Sequence, residues 1–208
     1  MSVQSELIKF NEKIRADYKN KSELAEKRDI LIKKLRESKK LLSFDKYDQG
    51  SYTMHTGIIP ESGEEYDIDV ALIFNVNKDD HNPMDFKNDI QEILENHTDY
   101  GAEIKKPCVT VTYKKNGEVA YHVDLVVYTY EDKDSLINDR LYIAKGKNTD
   151  TDSQKWELAD PKGLVNYIND KIELGEKRDQ FRRVVRYLKK WRNHNILNIG
   201  NSSPCSIG

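Results

Sequence analysis

Cysteine, long apolar runs and an excess of charge of one sign are all scarce in this sequence. Its only two cysteines, Cys108 and Cys205, are far apart in the chain. They form neither a disulfide framework nor a zinc-binding cluster, so we expect a protein of the reducing cytoplasm. No run approaches the roughly 18–20 apolar residues of a membrane span, so we expect no membrane partner. The first residues, MSVQSELIKFNEKIR, are charged and have a helical period, which is not typical of a signal peptide.

The chain also lacks an excess of positive charge. The 208 residues include 34 Lys and Arg against 36 Asp and Glu, which gives a formal net charge of −2. A protein that held long duplex DNA by its phosphates would be more basic, so we expect no such partner. Hydrophobic residues make up 37% and charged residues 34%, which indicates a globular chain of one large or two small domains.

The periodic patterns predict an α+β fold with a small mixed sheet and helices at both ends. Asn116-Gly117 between two apolar runs predicts a β-hairpin. The predicted helices are 2–42 with a break near Asn20-Lys21, one starting at Asn82-Pro83, one starting at Asp160-Pro161, and a long one over 175–193. The segment GKNTDTDSQ (146–154) is predicted to be a loop.

Two carboxylates stand where the chain enters the apolar strand DIDVALIF. Side chains two residues apart in a strand share a face, so Asp67 and Asp69 project together. Asp124, in the apolar strand YHVDLVVY, adds a third acid on a neighbouring strand. Three such carboxylates could hold two divalent cations for an in-line phosphoryl displacement. The alternative is that Asp67 and Asp69 are strand-edge carboxylates that face solvent.

The turn that precedes this strand contains Gly50 and Ser51. Glycine lets a phosphate approach the backbone closely, and serine adds a hydroxyl and an N–H donor. Thr53 and Thr56 lie nearby as further donors or as supports of the turn. A Gly-Ser pair alone carries little information, but at this spacing from the three aspartates it points to a nucleotide site.

Together, Gly50-Ser51, Asp67-x-Asp69 and Asp124 resemble the DNA polymerase β-like nucleotidyltransferase superfamily. The segments QGSYTMHTG, WELADPKGL and VVRYLKKWR resemble those of the CD-NTases, the bacterial relatives of cyclic GMP-AMP synthase and oligoadenylate synthase. The resemblance implies a polymerase β-like core in one catalytic domain over 1–208. Its expected parts are N-terminal helices (1–45), a catalytic sheet core (46–145) and a helical part (156–208), without the remainder of the C-terminal helical lobe.

The resemblance also implies a chemistry. Such enzymes use Mg²⁺, with Mn²⁺ able to substitute, to join NTPs into cyclic or linear oligonucleotide messengers with release of pyrophosphate. They serve in anti-phage signalling (CBASS), where a downstream effector binds the product, and a regulatory protein partner is compatible with this pattern. Asp67, Asp69 and Asp124 would be the metal ligands and catalytic residues. The residues implied to bind nucleotide are Gly50, Ser51, Thr56, Lys189 and Ser206.

Several readings of these residues remain open at this stage. The same core chemistry could modify a protein, an RNA or a small molecule, or the pocket could bind nucleotide without turnover. Arg182, Arg186 and Lys189 form one stripe on the long helix, which either is solvated or faces a triphosphate. His122 is expected to pack in or beside the sheet. Apolar residues of the long helix are expected to face inward, with an exposed apolar patch near Trp191; the inward set is Phe181, Val184, Val185 and Leu188.

Overall fold

The computed structural model describes residues 2–16, 18–60, 65–115, 117–135 and 140–197. Six α-helices are described: α1 Val3–Ile14, α2 Tyr18–Glu37, α3 Gly50–Met54, α4 Pro83–Leu94, α5 Gly163–Lys171 and α6 Glu176–Leu197; a short 3-10 helix spans Lys78–Asp80. Seven strands are described: β1 Phe44–Gln49, β2 Tyr66–Asn77, β3 Ala102–Ile104, β4 Val109–Lys115, β5 Glu118–Tyr130, β6 Leu141–Lys147 and β7 Asp150–Ala159. The predicted α+β class, with a mixed sheet packed by helices, is confirmed.

The seven strands form one sheet. Its order is β1-β2-β5-β4-β3, and β6 pairs with the end of β5 and with β7. Only the β2–β5 pair is parallel among the described strand pairs. β4 and β5 pair antiparallel on either side of Gly117, which has a φ of +88°, so the predicted hairpin is confirmed for the strands; Asn116 lies outside the described residues.

The sheet is covered on both faces along its centre. Residues 70–74 of β2 are all buried, as is typical of a strand with protein on each side. One face packs against α2 and α4 through Leu31, Leu35 and Ile90 and forms the main core. The opposite face carries a smaller apolar cluster that includes residues of β6 and β7. The carboxylates of β2 lie next to this smaller cluster, towards the strand's N-terminal end.

Local sequence signals explain several element boundaries. Asn82 caps α4, since its Oδ1 accepts a hydrogen bond from the Met84 N–H at 2.8 Å, and Pro83 begins the helix as predicted. The predicted helix break near Asn20-Lys21 is wrong, because α1 ends at Ile14 and α2 begins at Tyr18.

Two further expectations about local structure are corrected. The segment 146–154 is not a loop, because β6 and β7 pair through it as a hairpin, and residues 156–159 of the expected helical part are strand. On α6, Val184 is 41% and Leu188 59% exposed rather than inward-facing, and Trp191, near which an exposed apolar patch is expected, is 67% exposed. Within the described ranges, no helix combines the length and apolar character that a membrane crossing demands.

Candidate active site

The three aspartates lie on one face of two adjacent strands. The parallel register of β2 and β5 places Asp69 opposite Asp124 and Asp67 opposite His122. Since side chains alternate along a strand, these four residues share a face of the sheet. Asp67 is exposed, whereas Asp69, His122 and Asp124 are partly buried. The predicted convergence of the three carboxylates on one sheet face is therefore confirmed in geometry, and their roles stay a prediction.

Burial and mutual repulsion perturb these carboxylates. Burial, followed by the charges of Asp67 and Asp124, raises the pKa of Asp69 to about 7. For Asp67, desolvation by the surrounding protein and then the charge of Asp124 raise the pKa, although solvent still reaches the side chain. Lys189 opposes the shift at both residues. The site therefore holds more negative charge than its own cations neutralise, which favours a bound cation.

Asp124 is oriented by a hydrogen bond from the next strand. Thr110 of β4 lies opposite Asp124, and its Oγ1 donates to Asp124 Oδ1 at 2.5 Å. The Sγ of Cys108 lies 3.5 Å from the same hydroxyl. Burial, followed by the charge of Asp124, raises the pKa of Cys108 to about 12, so it stays a neutral thiol. Sequence reasoning missed Thr110, although the alternation in CVTVTYK could have placed it on the face of Asp124.

His122 flanks the carboxylates at the exposed end of this face. Its Nε2 lies 3.9 Å from Glu65 Oε2, and its charge when protonated lowers the pKa of Asp67. The expectation that it packs beside the sheet fits this partly buried position.

The Gly50-Ser51 turn packs directly against Asp69. Gln49, the last residue of β1, lies opposite Asp69, and the next residue, Gly50, has a φ of +66°. A β-carbon built on Gly50 would lie 2.2 Å from Asp69 Oδ2, so a larger residue here would displace that carboxylate. Ser51 follows in α3 and is partly exposed beside this contact. The turn predicted to bind phosphate therefore lies in contact with one of the predicted metal ligands.

Thr56 is fully buried beneath the turn. Its N–H donates to the Ser51 carbonyl at 3.0 Å, and its own Oγ1 has no hydrogen-bond partner among the described residues. This placement favours support of the turn, and contact between Thr56 and nucleotide stays a prediction. Ser206 lies outside the described residues.

α6 runs past the turn and carries the predicted lysine. Burial lowers the pKa of Lys189, and the negative charges of Asp67 and Asp69 oppose that shift. The two arginines of the predicted stripe differ. Arg182 is partly exposed and its Nε donates to the Met54 carbonyl at 3.3 Å, whereas Arg186 is only 5% exposed. Lys189 is therefore the residue of that stripe that acts on the carboxylates.

The segment WELADP has a structural role in this chain. Trp156 lies in β7 and its indole N–H donates to the His81 carbonyl at 2.9 Å. Asp160 Oδ1 accepts from the backbone N–H of Gly163 at 2.7 Å and from that of Lys162 at 3.2 Å, which stabilises the turn that leads into α5. The segment therefore fixes the entry to α5.

In the part of the chain that the structure describes, no three Asp, Glu, His or Cys side chains are arranged so that they could already hold a metal ion. The carboxylates of the site nevertheless provide hard oxygen donors on one face, which is the ligand type that Mg²⁺ prefers. Their mutual repulsion is also the charge imbalance that a divalent cation would remove. The donor chemistry therefore fits a metal, and closing the set around an ion requires side-chain rotation.

Comparisons with known proteins agree with this geometry. Residues 45–128 match the family described as cyclic GMP-AMP synthase DncV-like, nucleotidyltransferase domain. This stretch contains the turn, β2, most of β5 and all three aspartates. No curated protein matches the chain.

Solved structures share the fold at low sequence identity. Vibrio cholerae DncV cyclic AMP-GMP synthase with nonhydrolyzable GTP is 18% identical with a TM-score of 0.66, over 87% of this chain and 63% of DncV. The CD-NTase CdnG of Bradyrhizobium diazoefficiens with GTP is 14% identical with a TM-score of 0.66, over 88% of this chain and 52% of CdnG. The chain thus spans less than two thirds of either relative. The resemblance inferred from the sequence is confirmed: residues 45–128 match the model of a DncV-like nucleotidyltransferase domain, and the chain shares the fold of these CD-NTase structures.

Proposed function

We propose that this chain is a Mg²⁺-dependent nucleotidyltransferase that joins NTPs into a cyclic or linear oligonucleotide and releases pyrophosphate. The observation that carries the proposal is the placement of Asp67, Asp69 and Asp124 on one face of β2 and β5, with Gly50 against Asp69. A solvent-facing pair of strand-edge acids would need neither a third acid in register nor a glycine packed on a carboxylate.

Asp67 and Asp69 would hold two Mg²⁺ ions, and Asp124 would complete the site of one of them; Mn²⁺ could substitute. When bound, the ions stabilise the attacking and leaving oxygens of an in-line displacement. Thr110 holds the Asp124 carboxylate in one orientation through its 2.5 Å hydrogen bond. This is the preorganisation that a site for a reacting hydroxyl requires.

The turn and α6 bind the triphosphate. Gly50 lets the phosphates approach the backbone, Ser51 donates hydrogen bonds, and Lys189 neutralises charge on the β- and γ-phosphates. The ribose hydroxyl of one nucleotide then attacks the α-phosphate of another. A phosphodiester bond forms, the bond to pyrophosphate breaks, and the hydroxyl proton is lost to base or solvent.

Ring closure follows from repetition of the same step within a linear product. A solved DncV structure is described as a complex with the linear intermediate 5′ pppA(3′,5′)pG, and DncV itself as a cyclic AMP-GMP synthase. By this similarity we propose a cyclic dinucleotide as the product and ATP and GTP as the first substrates to test. A cytoplasmic role in anti-phage signalling, with an effector that binds only the product, belongs to the same proposal.

The test is incubation of labelled ATP and GTP with Mg²⁺ or Mn²⁺, followed by thin-layer chromatography before and after phosphatase treatment. A phosphatase-resistant product supports cyclisation, and a phosphatase-sensitive oligomer supports linear synthesis. Label transferred to the protein itself or to added protein or RNA would contradict the substrate class. Binding without any product would contradict the enzymatic function.

A further inference from the structure

We propose that Arg186 is a positioning residue that fixes the phosphate-binding turn relative to Lys189; this inference rests on the proposed nucleotidyltransferase function. The side chain of Arg186 does not face solvent, since the residue is 5% exposed. A buried guanidinium is costly unless its N–H groups are hydrogen-bonded. The hydrogen-bond partners of Arg186 therefore show which parts of the fold the buried side chain connects.

Arg186 bonds to two different elements at once. Its Nη1 donates to the carbonyl of His55 at 2.7 Å, and its Nε donates to Asn11 Oδ1 at 2.8 Å. Asn11 belongs to α1 and is itself 7% exposed. One side chain of α6 therefore joins α1 to the residue that ends the Gly50–Met54 turn.

The carbonyl that Arg186 binds is the end of the turn helix. His55 is the C-cap of α3, with a left-handed φ of 58°, and its N–H closes the turn onto the Tyr52 carbonyl at 3.2 Å. The adjacent Met54 carbonyl accepts a second bond, from Arg182 Nε at 3.3 Å. Cations at a helix C-terminus are favourable, so these two arginines stabilise the conformation that presents Ser51.

The same helix carries Lys189, three residues after Arg186. Residues three apart lie on one helix face, one above the other. The guanidinium that bonds to the end of the turn therefore sets where the ammonium of Lys189 stands relative to Ser51. Arg186 acts through the position of the turn and of Lys189, and it needs no contact with substrate.

A separate set of bonds holds the chain that follows the turn. The Ala16 N–H donates to the Gly57 carbonyl at 3.2 Å, and the Ile59 N–H donates to the Ile14 carbonyl at 2.7 Å. These bonds anchor the segment to the end of α1 without Arg186. Loss of the arginine should therefore shift the turn and leave the fold in place.

The experiment compares Arg186→Met with Arg183→Met in the full chain. Arg183 lies on the same helix but bonds to Gln180 Oε1 within α6, at 2.7 and 3.1 Å. We expect Arg186→Met to raise KM for NTP about tenfold with kcat changed less than about threefold. Arg183→Met should leave both constants near the parent values. Equal KM changes in the two variants, or none in a folded Arg186→Met, would overturn the inference.

Two further variants separate positioning from stability. Arg186→Lys keeps a donor for the His55 carbonyl and should recover part of the KM, whereas Asn11→Ala should lower thermal stability and leave KM near the parent value. A Ser51→Ala and Arg186→Met double variant should be non-additive, because both changes act through the turn. Full additivity, or no rescue by lysine, counts against the inference.

The readout also distinguishes this inference from the proposed function. If the parent chain makes no product, the proposed function fails, and calorimetric titration with a nonhydrolysable NTP analogue replaces KM. Weaker binding by Arg186→Met than by Arg183→Met then still supports the positioning role. Equal binding by the two variants overturns it.

Discussion

The carboxylate of Asp69 occupies the space that a side chain at Gly50 would need. The Asp69 Oδ2 would lie 2.2 Å from a β-carbon at position 50, and its Cγ would lie 3.2 Å away. Gly50 has φ +66°, in the left-handed region that favours glycine. The glycine is thus required twice, for the turn that presents Ser51 and for the close approach of the metal-ligand candidate.

Gly50→Ala should therefore lower activity by displacing Asp69. The left-handed conformation alone costs about 1–2 kcal/mol for a residue with a β-carbon. The collision with Asp69 adds the loss of a preorganised carboxylate, so we expect product formation to fall about 100-fold. Initial rates at saturating NTP and a thermal melt measure the two effects.

Gly117→Ala is the matched control for this substitution. Gly117 has φ +88°, and nothing lies within 4 Å of a β-carbon built there. It should show the cost of the backbone conformation without the loss of activity. A Gly50→Ala variant with the activity of Gly117→Ala would contradict the role of the Gly50–Asp69 contact.

The raised pKa of Asp69 makes metal-free stability depend on pH. Because the folded pKa is about 7 and the ordinary value is 3.8, the folded state binds the proton more tightly than the unfolded state between these values. This residue's contribution to stability is therefore greatest below about pH 4 and is lost as the pH rises towards 7. Asp69→Asn should remove that loss.

Chemical denaturation with a chelator, at pH 4.5 and pH 7.5, measures this effect. We expect Asp69→Asn to be more stable than the parent at pH 7.5, with a smaller difference at pH 4.5. Asp99→Asn, at an exposed acid in the turn that precedes β3, is the control. A variant that is less stable than the parent at pH 7.5 would show that the Asp69 charge is compensated without metal.

Lys189→Ala should weaken NTP binding. The ammonium interacts with the charges of Asp67 and Asp69, which places it where a triphosphate would approach the metals. A charged hydrogen bond to phosphate is worth roughly 1.5–3 kcal/mol, or about ten- to a hundred-fold in affinity. Calorimetric titration with an NTP analogue measures it.

Lys190→Ala is the control, since position 190 is rotated by about 100° around the helix from position 189. It should change affinity little. Equal losses in the two variants would show that α6 acts only as a diffuse basic surface.

Lys87→Met should destabilise the fold without changing the candidate active site. Lys87 is fully buried in α4, and its Nζ donates to the backbone carbonyls of Lys105 at 2.7 Å, Lys106 at 3.0 Å and Gly146 at 2.7 Å. Loss of these charged donors should cost about 3 kcal/mol. Urea denaturation measures it, with the exposed Lys147→Met as control, and equal stability of the two variants would refute the assignment.

The fold and the three acids were predictable because they depend on local periods. Strand alternation placed Asp67 and Asp69 on one face, and the polar interruption at Asp124 identified the third acid. The pairing of Asp69 with Asp124 was not predictable, since a parallel register joins distant segments and has no local signal. The β6–β7 hairpin was missed because DTDSQK is polar on both faces and lacks a strand pattern.

The burial of residues on α6 could not be predicted from the sequence. A helical period identifies residues that share a face but does not show whether that face is covered. Arg186 was expected on a stripe with Lys189, yet the arginine is buried because the His55 carbonyl and Asn11 satisfy it. Leu188 was expected inside and is 59% exposed. Tertiary hydrogen bonds explain the burial of Arg186.

The most direct test of the central claim is pyrophosphate release from ATP and GTP with Mg²⁺ by the parent and by the Asp67→Asn, Asp69→Asn double variant. The account predicts an oligonucleotide product from the parent and none from the double variant, although the variant remains folded and is at least as stable without metal. Circular dichroism and a thermal melt confirm the fold. A folded double variant that releases pyrophosphate at near the parent rate would contradict the assignment of these carboxylates to the reaction.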